Sequence, residues 1–405
     1  MRETTMRCTP KLRPVVLGVA TVFAVAVMGC RDDVTAPDTS EQKPAFSATS
    51  QTLSFTEVSA GSEYLTCGIA TDQRVYCWGT SYLGDGEAHM RLYPGPIDGG
   101  MEFRRISAGY NYACGVTTSF QAYCWGRNYA GQVGDGTTTD RLSPVAVVGG
   151  LEFRMVSAGH SDHSCGITRD DRAYCWGGNH KGQLGNGTTV GSAVPVPVAG
   201  GLTFRDISAG RRHTCGIAKP SERAYCWGMN EKGLLGTGSE VEYSPVPVEV
   251  AGGRSFRQLA VGWDHACAVT PWNVAWCWGN GSEGQIGDGN THQRWTPRRV
   301  AGDHLFGRIT AGVFHTCAET TDNRAYCWGN NTYGALGNGN SLEDRLVPGP
   351  VAGNLWFTQV DAGGFYTCGK TDANQAYCWG RNWGGQLGDG TRTDRHTPTP
   401  VADPA

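Results

Sequence analysis

The chain has 405 residues, of which 39% are hydrophobic, and its 34 lysines and arginines nearly balance 37 aspartates and glutamates. This balance excludes a strongly basic surface, so we expect no nucleic-acid partner. The 59 glycines favour short strands and tight turns over helical bundles, and the 16 cysteines predict export from the reducing cytosol.

Residues 1–29 have the composition of a secretory signal peptide. Basic residues precede an uncharged run from Pro14 to Gly29, which is too short for a comfortable transmembrane helix. The segment Val27-Met28-Gly29-Cys30 resembles a bacterial lipobox, and the resemblance implies that Cys30 becomes the lipidated first residue. We therefore expect an exported protein that is attached to a membrane through an N-terminal lipid.

The residue after the cysteine bears on the destination. Arg31 stands where an aspartate would retain such a lipoprotein in the inner membrane, which favours the outer membrane, on its periplasmic or cell-surface side. Secretion without a lipid is the alternative. Residues 30–52 contain the lipid site followed by polar residues without apolar periodicity, which is typical of a flexible tether.

The rest of the chain, residues 53–401, consists of seven copies of one unit, with a short tail at 402–405. The dipeptide Trp-Gly recurs with spacings of 47 to 51 residues, at Trp78, Trp125, Trp176, Trp227, Trp278, Trp328 and Trp379. Each copy contains four short strand candidates, and the alternating prolines Pro195 and Pro197 place the fourth strand at a sheet edge. The sequence therefore predicts one all-β domain, a seven-bladed β-propeller of four-stranded antiparallel blades.

Fourteen cysteines occur as two per unit, on the second and third predicted strands. If Cys165 faces Cys175 across the hairpin, Gly166 faces Tyr174 and Ser164 faces Trp176, and small residues oppose the large aromatics in every unit. Facing positions on antiparallel strands lie within disulfide reach. Zinc is the alternative, but the spacing and the absence of further nearby ligands disfavour it. We predict one disulfide per blade, joining Cys67 to Cys77, Cys114 to Cys124, Cys165 to Cys175, Cys215 to Cys226, Cys267 to Cys277, Cys317 to Cys327 and Cys368 to Cys378.

The unit resembles the regulator-of-chromosome-condensation repeat, whose members form seven-bladed propellers. The motifs that carry the resemblance occur in order in each copy, for example Ala158-Gly159, then Tyr174-Cys175-Trp176-Gly177, then Gly182-Gln183-Leu184-Gly185. Repeat 1 is three residues shorter between Gly79 and Gly84, so we expect an irregular first blade. The guanine-nucleotide exchange of the family's namesake is not expected here, because no unit has room for an inserted wedge and an exported protein does not meet a small GTPase.

The loops after the first and third strands of each unit emerge at one end of a propeller, and these loops are where the units diverge. They are rich in aromatic residues and arginines, which anchor protein interfaces. We therefore predict a protein-binding scaffold, with a carbohydrate-binding module as the alternative, since the same rings could stack on sugars. The candidate binding residues are Tyr64, Tyr110, Tyr112, Arg211, Arg212, Trp263, Phe314, Phe365 and Tyr366.

The remaining motifs favour structural roles over catalysis or metal binding. His163, His213, His265 and His315 occupy equivalent positions in different blades, which favours a structural role over a shared metal ion. The pairs Asp135 with Asp140 and Asp389 with Asp394 suggest calcium, but turn chemistry accounts for them. A propeller hydrolase could use Glu63, Asp162 and Asp264, although the sequence contains no G-x-S-x-G elbow, phosphate loop, H-E-x-x-H motif or sialidase-type box. We expect a monomer without enzymatic activity, metal or cofactor.

Overall fold

Short strands separated by glycine-rich turns fill residues 53–404, the part of the chain that the computed structural model describes. The predicted signal peptide, Cys30 and the tether to residue 52 lie outside the described residues. Within residues 53–404, no helix has the length and apolar character needed to cross a membrane.

Consecutive groups of four strands form the seven blades, which we number in chain order. Blades 1 to 3 contain β1 (Phe55–Ala60), β2 (Leu65–Ala70), β3 (Val75–Tyr82), β4 (Ala88–Pro96), β5 (Phe103–Ala108), β6 (Tyr112–Thr117), β7 (Ala122–Gly126), β8 (Arg141–Ala146), β9 (Phe153–Ala158), β10 (His163–Thr168), β11 (Ala173–Gly177) and β12 (Ser192–Pro197). Blades 4 to 7 contain β13 (Thr203–Ala209), β14 (His213–Lys219), β15 (Ala224–Met229), β16 (Tyr243–Glu249), β17 (Gln258–Val261), β18 (His265–Val269), β19 (Ala275–Gly279), β20 (Arg294–Arg299), β21 (Phe306–Ala311), β22 (His315–Thr320), β23 (Ala325–Gly329), β24 (Arg345–Pro350), β25 (Phe357–Ala362), β26 (Tyr366–Thr371), β27 (Ala376–Gly380) and β28 (Arg395–Pro400). Short 3-10 helices at Glu231–Gly233 and Thr332–Gly334 follow β15 and β23.

Each blade is a separate antiparallel sheet whose strands lie in sequence order. The first strands of neighbouring blades contact one another around the whole ring, including β25 against β1. The first strands therefore line the central axis and the fourth strands lie outermost, which confirms the predicted seven-bladed propeller.

The register of the middle hairpin is the predicted one. Cys165 pairs with Cys175, Gly166 with Tyr174, and Ser164 with Trp176. The corresponding cysteines face each other in every blade with Cα atoms 4.0 to 4.1 Å apart.

All seven predicted disulfides are present, one in each blade. In chain order, Cys67 is bonded to Cys77, Cys114 to Cys124, Cys165 to Cys175, Cys215 to Cys226, Cys267 to Cys277, Cys317 to Cys327 and Cys368 to Cys378. Each bond joins the second strand of a blade to the third, so the predicted pairing is confirmed for every unit.

The hydrophobic core lies between blades. The tryptophan of each Trp-Gly motif is fully buried, and its ring contacts a phenylalanine near the start of the first strand of the same blade. Phe153 and Trp176 of blade 3, for example, pack on Val116 and Val133 of blade 2. Burial of each such side chain stabilises the fold by about 1.5 to 3 kcal/mol, so every blade depends on its neighbours.

Blade 1 departs from the others, as its shortened loop predicts. In six blades the indole Nε1 of the motif tryptophan donates to a loop carbonyl of the preceding blade, at 2.8 to 3.0 Å. Trp125 of blade 2 has no such acceptor, because the corresponding loop of blade 1 is the one shortened between Gly79 and Gly84. Blade 1 instead extends β3 to 8 residues and β4 to 9 residues.

Hydrogen bonds from side chains and from the backbone, rather than a shared strand, join the last blade to the first within the described residues. The side-chain amide of Gln359 donates to the carbonyl of Val58 and accepts from its N–H, at 2.8 and 3.1 Å. The carboxylate of Asp361 accepts from the N–H of Ala60 at 2.9 Å and from the hydroxyl of Thr310 at 2.8 Å. Ring closure therefore uses the same kind of contact that joins the other blades, such as the N–H of Ala108 donating to the Ser59 hydroxyl at 3.0 Å.

Candidate functional site on the loop face

The loops after the first and third strands lie at one end of the propeller, because successive strands of a blade run in opposite directions. We call this end the loop face, and the end with the turns between second and third strands the opposite end. The loops after the first strands surround the axis.

A ring of glycines fixes these axial loops. Each first strand is followed by a glycine that lies against the equivalent glycine of the next blade. A Cβ atom at this position would collide with the carbonyl oxygen of that glycine; at Gly312 it would lie 2.3 Å from the oxygen of Gly363. Backbone N–H groups of the next residues then bond across blades, as from His160 to Gly210 at 3.0 Å. The Ala-Gly motif therefore holds the axial loops at fixed separations.

Asparagines fix the loops after the third strands. Asn179 is buried, its side-chain oxygen accepts from the N–H of Leu184 at 2.9 Å, and its amide donates to the carbonyls of Thr188 and Val190 at 3.0 Å. Asn128, Asn230 and Asn382 make equivalent contacts. The variable side chains of the loop face therefore project from a rigid frame.

One aromatic cluster crosses the axis, and we call it the axial cluster. The rings of Tyr110 in blade 2 and Trp263 in blade 5 meet edge to face with centroids 6.2 Å apart. The guanidinium of Arg211 lies 5.0 Å from the Trp263 ring, and that of Arg127 lies 5.9 Å from Tyr110 and 4.6 Å from Tyr129. Burial, and the hydrogen bond with Glu63, raise the pKa of the Tyr110 phenol, so its hydroxyl remains protonated at neutral pH.

His160 closes the axis beside this cluster. Its Nδ1 lies 2.6 Å from the hydroxyl of Ser62 in blade 1, and its ring also contacts the backbone of Val261 and Ala311. Partial burial reduces the hydration of the ring and lowers its pKa to about 4. Residues from five different blades therefore meet around His160 and the axial cluster.

A second cluster surrounds one arginine, and we call it the blade 7 cluster. The Arg381 guanidinium lies between 4.2 and 5.9 Å from four ring centroids and donates to the Tyr64 hydroxyl at 2.8 Å. Phe314 extends the cluster by contacting Phe365 at 5.3 Å. The rings around Arg381 are Tyr64, Tyr333, Phe365 and Trp383.

Six of the nine predicted binding residues lie in these two clusters, and the prediction is wrong for two. Tyr112 and Tyr366 are fully buried, and their hydroxyls donate to the carbonyls of His163 and Leu65 in the next blade. Both residues begin a second strand rather than belong to a loop, so they join blades and present no surface to a partner. Arg212, the ninth residue, is exposed on the loop face.

Arg127 and Arg381 were missed as site residues. Both directly follow a Trp-Gly motif, and repeats 2 and 7 are the two units with arginine at that position. The sequence signal was therefore present, although its meaning depends on ring stacking that spacing does not reveal.

The carboxylates of the hydrolase alternative contact neighbouring side chains rather than one another. Asp264 lies 3.8 Å from Arg211 and 3.5 Å from Lys232. Glu63 accepts from the side-chain amide of Asn111 at 3.4 Å. Burial raises the pKa of Asp162, although the positive charge of Arg212 acts to lower it.

The four equivalent histidines are buried between blades. The Nε2 atoms of His163, His265 and His315 lie 2.8 to 2.9 Å from threonine hydroxyls of the next blade. Burial lowers the pKa of all four, including His213, to about 3. These contacts support the structural interpretation of the row.

The aspartate pairs make the contacts of ordinary turns. Asp135 accepts from Thr137 and pairs with Arg141 at 2.5 Å, while Asp140 accepts from the N–H of Asn128 at 2.7 Å. Asp389 and Asp394 repeat this arrangement in blade 7. Within residues 53–404, no group of three or more histidine, cysteine or acidic side chains could hold a metal ion.

The opposite end also carries aromatic residues. Trp272 occupies a hairpin turn with 73% of its surface exposed. Phe120 lies 4.5 Å from the guanidinium groups of both Arg104 and Arg169. Single exposed rings of this kind are common on protein surfaces and form no counterpart to the two loop-face clusters.

Comparison with protein families gives three matches. A family described as "RCC1-like domain" matches residues 162–405. The regulator of chromosome condensation (RCC1) repeat matches residues 121–167 and, in a second form, residues 103–132.

Individual relatives and solved structures support the same fold. The chain is 28% identical over 247 residues to the ultraviolet-B receptor UVR8 of Arabidopsis thaliana, covering 60% of this chain and 44% of the receptor, so it spans less than half of that relative. The structure of human WBSCR16 matches with a TM-score of 0.73 at 20% identity, over 82% of this chain and 94% of that one. Prp20p of Saccharomyces cerevisiae, a protein with binding properties to Gsp1p and histones, matches with a TM-score of 0.67 at 19% identity, over 76% and 80% of the two chains.

Proposed function

The chain belongs to the RCC1-like domain family, and on that premise we propose that it is an exported, membrane-anchored propeller that binds a protein partner through its loop face. The observation that carries the proposal is the pair of aromatic and arginine clusters held on a rigid ring. The proposal treats the protein as a monomer that binds without catalysis and needs no cofactor.

The chemistry of the loop face suits a protein interface. Tyrosine, tryptophan and arginine are the residues that most often dominate binding energy, and they do so when they are rigid before binding. Tyr129 and Trp383 are 53% and 47% exposed, while Tyr110, Trp263 and Phe365 are half-buried and braced by neighbouring rings. Binding would therefore order few additional side chains. The binding of Prp20p to Gsp1p and histones is a precedent within this fold for a protein partner.

The test of the binding face compares matched truncations at the two ends of the propeller. Once a partner has been captured by cross-linking at the host cell envelope, its affinity is measured for Trp263→Ala and Tyr110→Ala, with Asp72→Ala and Asp170→Ala at the opposite end as controls. A central anchor contributes about 2 kcal/mol or more, which is roughly a thirtyfold increase in Kd. Equal affinities for all four variants, or loss only in the controls, would reject the loop face. Binding to a glycan array in place of a protein would favour the carbohydrate-binding alternative.

The anchoring proposal depends on Cys30 and is tested separately. Cys30→Ser should release the protein from the membrane fraction of its native host, because the lipid is its proposed attachment. Unchanged fractionation of the variant, together with no acyl mass on the wild-type N-terminal peptide, would leave the protein secreted or held by another means.

A further inference from the structure

A cationic groove of about 640 Å³ lies on the outer side of blade 5, away from the loop-face clusters. Its floor is β20, and one wall is the turn that leads from blade 4 into blade 5. The side chains that give it its character are Arg254, Arg298, Arg299, Trp276 and Thr296.

The strand register shows that blade 5 differs from the other blades at this place. Arg298 pairs with the third-strand cysteine Cys277, and Arg299 pairs with Trp276. The residues equivalent to Arg298 are all uncharged, namely Gly95, Val145, Val196, Val248, Gly349 and Thr399. Those equivalent to Arg299 face a tyrosine instead of a tryptophan and are Pro96, Ala146, Pro197, Glu249, Pro350 and Pro400. The fold therefore does not require arginines at these positions.

The third arginine is held in place against the indole. The Cζ atom of Arg254 lies 3.8 Å from the Trp276 ring centroid. Gly252 makes this possible, because a Cβ there would lie 2.0 Å from Nη1 of Arg254. The guanidinium is thus positioned before any ligand arrives, which lowers the entropy cost of binding.

The positive charge of the groove is only partly balanced by the described residues. Neither Arg254 nor Arg298 forms an ion pair with any described residue of the chain, and Arg299 is 3.4 Å from Asp303, which is fully exposed. The one carboxylate that lines the groove, Asp288, pairs with Arg294 at 2.5 Å. Arg254 and Arg298 therefore line the groove without a carboxylate partner among the described residues, and guanidinium groups match the geometry of carboxylate and sulfate groups.

We propose that this groove binds an acidic polysaccharide, a chain whose sugar rings carry carboxylate or sulfate groups. The arginines pair with the anions, and the indole edge and the Thr296 hydroxyl contact the sugar ring. An acidic peptide is the less suitable occupant, because Pro297 removes a backbone donor from the strand beside the groove and so hinders the addition of a peptide strand. The site is independent of the proposed loop-face function.

The test uses the purified full-length protein and four probes in titration calorimetry. The probes are oligogalacturonate, a heparin fragment, a neutral galactose oligomer and a glutamate peptide of the same charge as the oligogalacturonate. One or both acidic glycans should bind, more tightly than the peptide, and the neutral oligomer should not. Arg298→Gln/Arg299→Gln, which alters exposed residues, and Arg254→Gln should each weaken glycan binding at least tenfold.

The matched control is Arg74→Gln/Arg172→Gln, which removes the same charge from two exposed arginines of blades 1 and 3. It should retain wild-type affinity. Equal weakening in this control would show non-specific attraction, tighter binding of the glutamate peptide would make the site a peptide site, and absence of binding to both acidic glycans would remove the site altogether. Each of these three outcomes overturns the proposal.

Discussion

One of the four buried histidines lacks the threonine partner that the other three have. His163, His265 and His315 each contact a threonine hydroxyl of the next blade, whereas His213 faces Ala266 and neither of its ring nitrogens has a hydrogen-bond partner. Elsewhere the threonine hydroxyl also donates to the loop carbonyl that accepts from the motif tryptophan, as Thr214 does to Gln183. The corresponding carbonyl near position 266 is that of Leu234, which accepts from Trp278. A hydroxyl at position 266 would therefore have both a partner in the His213 ring and an acceptor in the Leu234 carbonyl.

We predict that Ala266→Thr stabilises the protein by about 1 kcal/mol, because it supplies the missing partner of a buried polar group. Urea unfolding with the disulfides intact measures the change. The control is Ala266→Val, which adds nearly the same volume as threonine at the same buried position but supplies no hydroxyl. The same gain in both variants, or a loss of stability in Ala266→Thr, would contradict the prediction.

The histidines also predict a pH dependence. Their pKa values are lowered by burial from 6.5 to about 3, so below pH 6.5 the unfolded chain takes up protons that the folded protein does not. Each histidine therefore removes up to about 1.4 kcal/mol of stability per pH unit as the pH falls from about 6.5 towards 3. Burial raises the pKa of Glu57, Asp206, Glu319 and Asp361, which acts in the opposite direction.

A substitution isolates the histidine contribution. His315→Tyr imitates Tyr366, which occupies the same slot and hydrogen-bonds with a threonine of the next blade. The stability of this variant relative to wild type should rise as the pH falls from 6.5 to 4, since the acidic groups are common to both proteins. Urea midpoints at three pH values measure the trend, and a difference that does not change with pH would contradict it.

At the scale of the element, the two-strand hairpin with its disulfide is the repeated unit of stability. Each disulfide joins cysteines 10 or 11 residues apart, so it constrains only a short loop of the unfolded chain. We predict that Cys165→Ala/Cys175→Ala costs about 2 kcal/mol, towards the low end of the usual range for disulfides. Thermal unfolding against wild type measures the cost.

The oxidation state is checked on the same preparation. Alkylation without reductant should leave all fourteen propeller cysteines unmodified, and peptide mapping after reduction should find every one of them alkylated. Modification of several of them without reductant would show that the pairs do not persist as disulfides.

The sequence predicts these hairpins well because the residues that face each other are close together in the chain. Opposing Cys165 to Cys175 determines what every neighbouring residue faces, and the structure has that register. Tyr112 and Tyr366 were misassigned because they lie at the junction of loop and strand, where one position separates a surface residue from a buried one.

Contacts across the ring could not be predicted in this way. Tyr110 and Trp263 are three blades apart, and their 6.2 Å separation depends on the diameter of the axis and on the glycine ring around it. The stacking of Arg381 on Tyr64 likewise joins the two ends of the repeat array. These features belong to the whole molecule, and they form the candidate site.

At the scale of the whole molecule, the closure of the ring has a consequence for chain connectivity. Every blade is built from four consecutive strands, and blades 7 and 1 meet through backbone hydrogen bonds and through side chains such as Gln359 and Asp361. The N–H of Leu53 donates to the carboxylate of Asp403 at 2.7 Å, so the two ends of the propeller are adjacent. Chain breaks at the turns between blades therefore divide no sheet.

We predict that a circular permutant of residues 53–404, with its ends joined by a short glycine-serine linker and opened between Gly149 and Gly150, folds with a free energy of unfolding within about 1 kcal/mol of the linear chain. Loop closure depends only weakly on length, and a Cβ at either glycine would meet no atom within 4 Å, so the opening disturbs no packing. Opening the chain instead between Cys165 and Gly166 cuts β10 within its ladder and should prevent folding. Urea unfolding of both permutants decides the matter: failure of the first would show that closure requires the natural order of the blades, because that permutant retains every blade and every contact between blades.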